Sequence, residues 1–82
     1  MSSGAEIDEA VEEIVADRLR VDRSAFDDAT PFEGETLDAD SLDVVETAEA
    51  IDAALDVYLP DEALADVETV GDLKSSVRER AE

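Results

Sequence analysis

The 82-residue sequence contains no cysteine and no histidine. Lack of cysteine excludes disulfides, thiolate metal sites and a cysteine nucleophile. Lack of histidine excludes any Ser-His or Cys-His pairing. The three glycines form no phosphate-cradling loop. No run of 18 apolar residues is present, and the N-terminal "MSSGAEIDEA" lacks the basic and apolar regions of a signal peptide. These absences predict a soluble cytoplasmic protein with no membrane insertion.

Bases are scarce: six Lys and Arg stand against 25 acids, for a net charge of −19. Such a charge repels a phosphate backbone, which argues against nucleic acid and for basic proteins or screening cations as partners. One base is Lys, the others are Arg, and Asp slightly outnumbers Glu. That pattern suits a halophile, where the Debye length shrinks to about 3 Å at 1 M salt. An acidic protein from a GC-rich genome is the alternative. High net charge with few aromatics is also a signature of disorder, but the regular apolar spacing opposes it.

A hydrophobic fraction of 44% over this length predicts one domain, residues 1–82, with a single modest core and slight stability. Ser3 with Glu6 three residues on is a capping-box pattern. Behind it Ile7, Val11, Ile14, Val15 and Leu19 form one stripe of a helix from about 6 to 20. Between Val21 and Asp40 the periodicity dissolves, and Pro31, Gly34 and the 27–30 run read as a long loop. Its Phe26, Phe32 and Leu37 are the expected anchors to the core.

The second helix is predicted from about 41 to 56, with Asp40 as N-cap and Asp43 at the third helical position. Val44, Ala48, Ile51 and Leu55 share its inner face, with Val45 at the margin. Asp43, Glu46, Glu49 and Asp56 form an acidic outer arc, and Leu42 falls in its midst. A short helix follows from Pro60 to about Asp66. The last helix is capped by Thr69, carries Asp72 in its first turn and Val70, Leu73 and Val77 as its inner stripe, and ends near Arg80. The sum is all-α: a small antiparallel four-helix bundle of three longer helices and one short one, with a long first loop.

"DADSLDVVE" places Asp40, Ser41 and Leu42 at the start of the second helix, "LPDE" follows at 59 to 62, and a Thr-Val pair at 69 and 70 opens the last helix. These residues, with hydrophobic spacing from about 6 to 80, resemble the acyl carrier protein family. The resemblance implies that Ser41 is modified rather than catalytic. In that family a phosphopantetheinyl transferase moves 4'-phosphopantetheine from coenzyme A onto the serine, and acyl groups ride as thioesters on the arm's terminal thiol. It also implies that the second helix docks partner enzymes, synthases or ligases with basic patches. Asp40, Leu42, Asp43, Glu46, Glu49 and Asp52 are the candidate contacts. A helix N-terminus independently suits the phosphodiester formed at Ser41. The expected protein is a non-catalytic, monomeric carrier serving fatty-acid or related biosynthesis. A peptidyl, aminoacyl or polyketide carrier of the same fold, or an unmodified acidic adaptor, is the alternative.

Two departures from the family pattern stand out. The spacing from Phe32 to Leu37 is one residue longer than usual, and Asp38 replaces a common glycine, so the loop approaching Ser41 is expected to differ in shape. Thr47 and Glu49 stand where relatives carry bulky apolar residues, and Ala48, Ala50, Ala53 and Ala54 thin the helix further. Poor shelter for long acyl chains, or a short or polar cargo, is expected. A calcium loop is a poorer reading of 38–49: Asp38, Asp40 and Glu49 suit positions 1, 3 and 12, but Leu42 and Asp43 occupy positions 5 and 6.

Overall fold

The computed structural model describes residues 4–81, which contain no strand and form a small helical bundle. Helix α1 spans Gly4–Leu19. It buries Ile7, Val11 and Val15, one residue per turn, while Ile14 and Leu19 pack on the core from the margin. The helix ends at Arg20, whose left-handed φ of 58° turns the chain away. Ser3, expected to cap α1, lies outside the described residues.

A single turn of 3-10 helix at Arg23–Ala25 leads into the long loop. Phe32 and Leu37 plug into the core as expected, and Phe26 packs half-buried against it. The loop is also stitched to the beginning of the last helix, which the sequence did not reveal. The Val70 amide donates to the Thr30 carbonyl at 3.1 Å, and the Gly71 amide to the Asp28 carbonyl at 2.8 Å. First-turn amides have no partner inside their own helix, so the loop carbonyls supply what that helix start lacks. The Phe32 amide in turn donates to the Glu68 carbonyl at 2.9 Å, completing the seam.

Helix α2, Ser41–Leu55, buries Ala48 and Ile51, with Val44 and Leu55 half-buried beside them. Thr47 is fully buried as well, although its type marks it as polar. Its hydroxyl donates to the Asp43 carbonyl one turn back at 2.8 Å, which satisfies the group inside the core. Asp56 ends α2 in the left-handed conformation at φ 58°, and its amide donates to the Asp52 carbonyl. Val57 and Leu59 then return to the core.

Helix α3 is a single turn, Asp61–Leu64, shorter than the expected stretch to Asp66. It has no buried residue and no side-chain N-cap, so little besides half-buried Leu64 holds it against α2. Helix α4, Val70–Arg80, buries Val70, Leu73 and Val77 as predicted. Its Thr69 cap accepts from the Asp72 amide at 3.2 Å, and Asp72 accepts from the Thr69 amide at 3.2 Å. Lys74 is buried too, which the apolar pattern could not show.

Candidate functional site

Ser41 is the first residue of α2, solvent-exposed, with a hydroxyl that has no hydrogen-bond partner among the described residues. Its setting is a reciprocal capping box. Asp40 Oδ1 accepts from the Asp43 amide at 2.9 Å, and Asp43 Oδ2 accepts from the Asp40 amide at 3.1 Å. Both flanking carboxylates are thus turned onto backbone, leaving the Ser41 and Leu42 amides unpartnered at the positive end of the helix. An anionic phosphodiester on the Ser41 oxygen fits that environment, because first-turn amides and the helix dipole both favour negative charge.

The loop before Ser41 owes its shape to Asp38. This residue takes a left-handed φ of 47°, a conformation glycine adopts freely and aspartate tolerates better than most side chains. The Asp38 amide donates to the Gly34 carbonyl at 2.7 Å and the Ala39 amide to the Phe32 carbonyl at 2.8 Å. These bonds close the turn over buried Leu37 and Ala39 and deliver Asp40 to its capping position.

Beside Ser41 lies a cleft of about 590 Å³ between α2, α3 and the loop. Its wall is apolar where Phe32, Val44, Val45, Leu64 and Val67 meet. Its mouth is acidic, with exposed Glu33, Asp40, Asp61 and Glu68. Neither Thr47 nor Glu49, the residues expected to impair an acyl pocket, lines it.

The six residues expected to act at Ser41 and along α2 toward partners fall into three groups. Asp40 and Asp43 are engaged in the capping box. Leu42, 63% exposed, and exposed Glu46 face outward. Exposed Glu49 and half-buried Asp52 instead border a second, smaller groove, which also holds Tyr58. That tyrosine was not among the candidates, and no periodicity pointed to it.

Charge is distributed unevenly in a way the sequence already contained. No Lys or Arg lies between Arg23 and Lys74, a stretch that holds most of the acids and all of α2 and α3. Three of the six bases are held in ion pairs among the described residues. Arg23 pairs with Glu12 at 2.8 Å, and Lys74 pairs with both Glu12 and Asp28. Arg78 Nε stands 3.2 Å from Asp8 Oδ1, a charge pair without hydrogen-bond direction. Hydrogen bonds from Arg23 and then Lys74 hold the Glu12 carboxyl below its usual range. Burial pushes the Lys74 ammonium down, but hydrogen bonds to Asp28 and Glu12 outweigh it and leave its pKa raised. The α2–α3 side therefore presents negative charge with no basic side chain of its own sequence to offset it.

Fold and site define a small helical bundle that displays one exposed serine at the start of a helix, beside a cleft. The chain matches the phosphopantetheine attachment site family over residues 9–77, from α1 to α4, and belongs to it. It is a carrier protein whose domain is the attachment site for a covalently bound 4'-phosphopantetheine group. Domains of this family are non-catalytic carriers modified by a transferase, and membership implies dealings with a phosphopantetheinyl transferase and with synthases in general. Among the described residues no helix is long and apolar enough to cross a membrane.

Proposed function

We propose that Ser41 is the attachment point of the arm and that the protein carries acyl intermediates as thioesters between enzymes of fatty-acid or related biosynthesis. The observation that carries this reading is the placement of Ser41: exposed, first in α2, its hydroxyl unpartnered, and at the edge of the cleft. The 4'-phosphopantetheine group supplies the thiol that a chain without cysteine lacks. The chain's own part is to hold the arm through the Ser41 oxygen, to favour its phosphate with the Ser41 and Leu42 amides, and to offer Leu42 and Glu46 to approaching enzymes.

The cleft supports a short or polar cargo. Its apolar wall can receive methylenes, but the exposed carboxylates of Glu33, Asp61 and Glu68 at its mouth disfavour a long hydrocarbon passing between them. An aminoacyl cargo, whose ammonium would suit those carboxylates, is the second reading the same mouth favours.

The test is to incubate the purified protein with coenzyme A and a broad-specificity phosphopantetheinyl transferase and then to weigh it. A mass gain equal to the arm, absent in Ser41→Ala, is the expected result. No gain with several transferases would favour an unmodified acidic adaptor. Loading the holo protein with acetyl, octanoyl and aminoacyl groups then separates the cargo readings. Resonances of Val44, Val45 and Leu64 that shift strongly only on octanoylation would overturn the short or polar cargo.

A further inference from the structure

Two large apolar side chains stand exposed among the described residues, Leu42 and Tyr58. Leu42 belongs to the face already assigned to docking; Tyr58 has no role in attachment. It sits between Val57, 4% exposed, and Leu59, 5% exposed, and is itself 68% exposed. Neighbours buried on either side fix its backbone, so the ring is displayed from a rigid position rather than from a mobile loop.

Tyr58 borders a groove of about 210 Å³ between the middle of α2 and the single turn of α3. Its floor is Val45, Ala48, Leu59 and Leu64. Glu49, Asp52 and Asp61 line its margin, and none of the three is in an ion pair among the described residues. The volume lies below the roughly 300 Å³ at which small-molecule pockets begin, which suits a single side chain.

We propose that this groove receives an arginine side chain from a basic partner protein. Three features of arginine match three features of the groove. Its methylene stem matches the apolar floor. Its planar guanidinium matches the exposed ring, on which it can stack. Its forked N–H donors match the marginal carboxylates. Lysine would satisfy the charge but could not stack as a plane or form the fork. The groove therefore selects among basic partners, whereas the acidic charge of α2 attracts them all. The inference rests on the reading of α2 as a docking face, and it adds a contact beyond the attachment end of that helix.

The test uses the unmodified full chain and two capped peptides of equal length and charge, one with arginine as its only cation and one with lysine. Affinities are measured by calorimetry at fixed ionic strength. Tyr58 is the only tyrosine in a chain without tryptophan, so its emission reports this groove alone. The arginine peptide is expected to bind about two- to fivefold more tightly and to perturb the tyrosine emission. Tyr58→Phe should retain the preference, and Tyr58→Leu should erase it. Asp61→Asn should weaken the arginine peptide more than Glu62→Gln, an exposed neighbour outside the groove. Equal affinity for both peptides, or a preference that survives Tyr58→Leu, would overturn the proposal. Mass gain at Ser41 is read separately: a chain that gains the arm yet binds both peptides equally loses the groove and keeps its carrier role. A chain that prefers arginine but gains no arm keeps the groove and loses the attachment reading.

Discussion

The Gly71 amide donates to the Asp28 carbonyl at 2.8 Å, and a Cβ placed on Gly71 would stand 2.9 Å from that same oxygen. The contact is backbone against backbone, with the Asp28 Cβ 3.2 Å away, so no flexible side chain can yield. Gly71→Ala must push the loop off the start of α4. We expect a loss of about 1–3 kcal/mol in urea unfolding, with weakened exchange protection at Val70 and Gly71. Unchanged stability would show that the loop is not held at this seam.

A stabilising change is expected at Asp56. This residue is exposed, adopts φ 58° and places a negative charge at the C-terminus of α2, where the helix dipole disfavours it. Asn tolerates the left-handed conformation well and carries no charge. Asp56→Asn should raise stability by about 0.5–1 kcal/mol, seen as a higher melting temperature with unaltered helicity.

Acid sensitivity should be traceable to Glu12. Its folded-state pKa is lowered by hydrogen bonds from Arg23 and Lys74, so its contribution is fully present above the unfolded carboxylate pKa of about 4.3. That contribution is lost as pH falls through the lowered folded value. The stability gap between wild type and Glu12→Gln should be widest near neutrality and close below about pH 4. A gap that stays constant across this range would remove the Arg23–Glu12–Lys74 cluster as its source.

Self-repulsion should make folding depend on salt. With a net charge of −19 and no base within the sequence of α2 or α3, the folded state concentrates like charge that screening relieves. Circular dichroism should show helicity rising between millimolar and molar salt. Equal helicity at both ends would count against it.

Local chemistry was the legible part of the sequence. The Asp40–Asp43 and Thr69–Asp72 capping boxes join residues three apart, so four letters suffice to predict them. Phe32 and Leu37 were recognisable as anchors because large apolar groups in a polar loop have few other uses. What escaped detection depends on distant partners. Lys74 reads as an outer residue of α4 until Glu12 and Asp28, 62 and 46 positions away, come to meet it. Burial of Thr47 required a carbonyl to accept its hydroxyl, which the inner-face count of α2 ignored. The seam between loop and α4 is a backbone pairing with no side-chain signature. Ser41 was singled out because its neighbourhood is a motif; the Tyr58 groove was not, because α3 must fold against α2 before it exists.

Lys74, the only lysine in the sequence, is buried, paired with two carboxylates and kept protonated by them. A thioester is an acylating agent, and the side chains that ordinarily consume one are a neutral amine or a thiol. This chain has no cysteine, and the one amine among its side chains is neither exposed nor neutral. An activated cargo on the proposed arm would therefore meet neither a thiol nor a free lysine among the side chains of its own carrier.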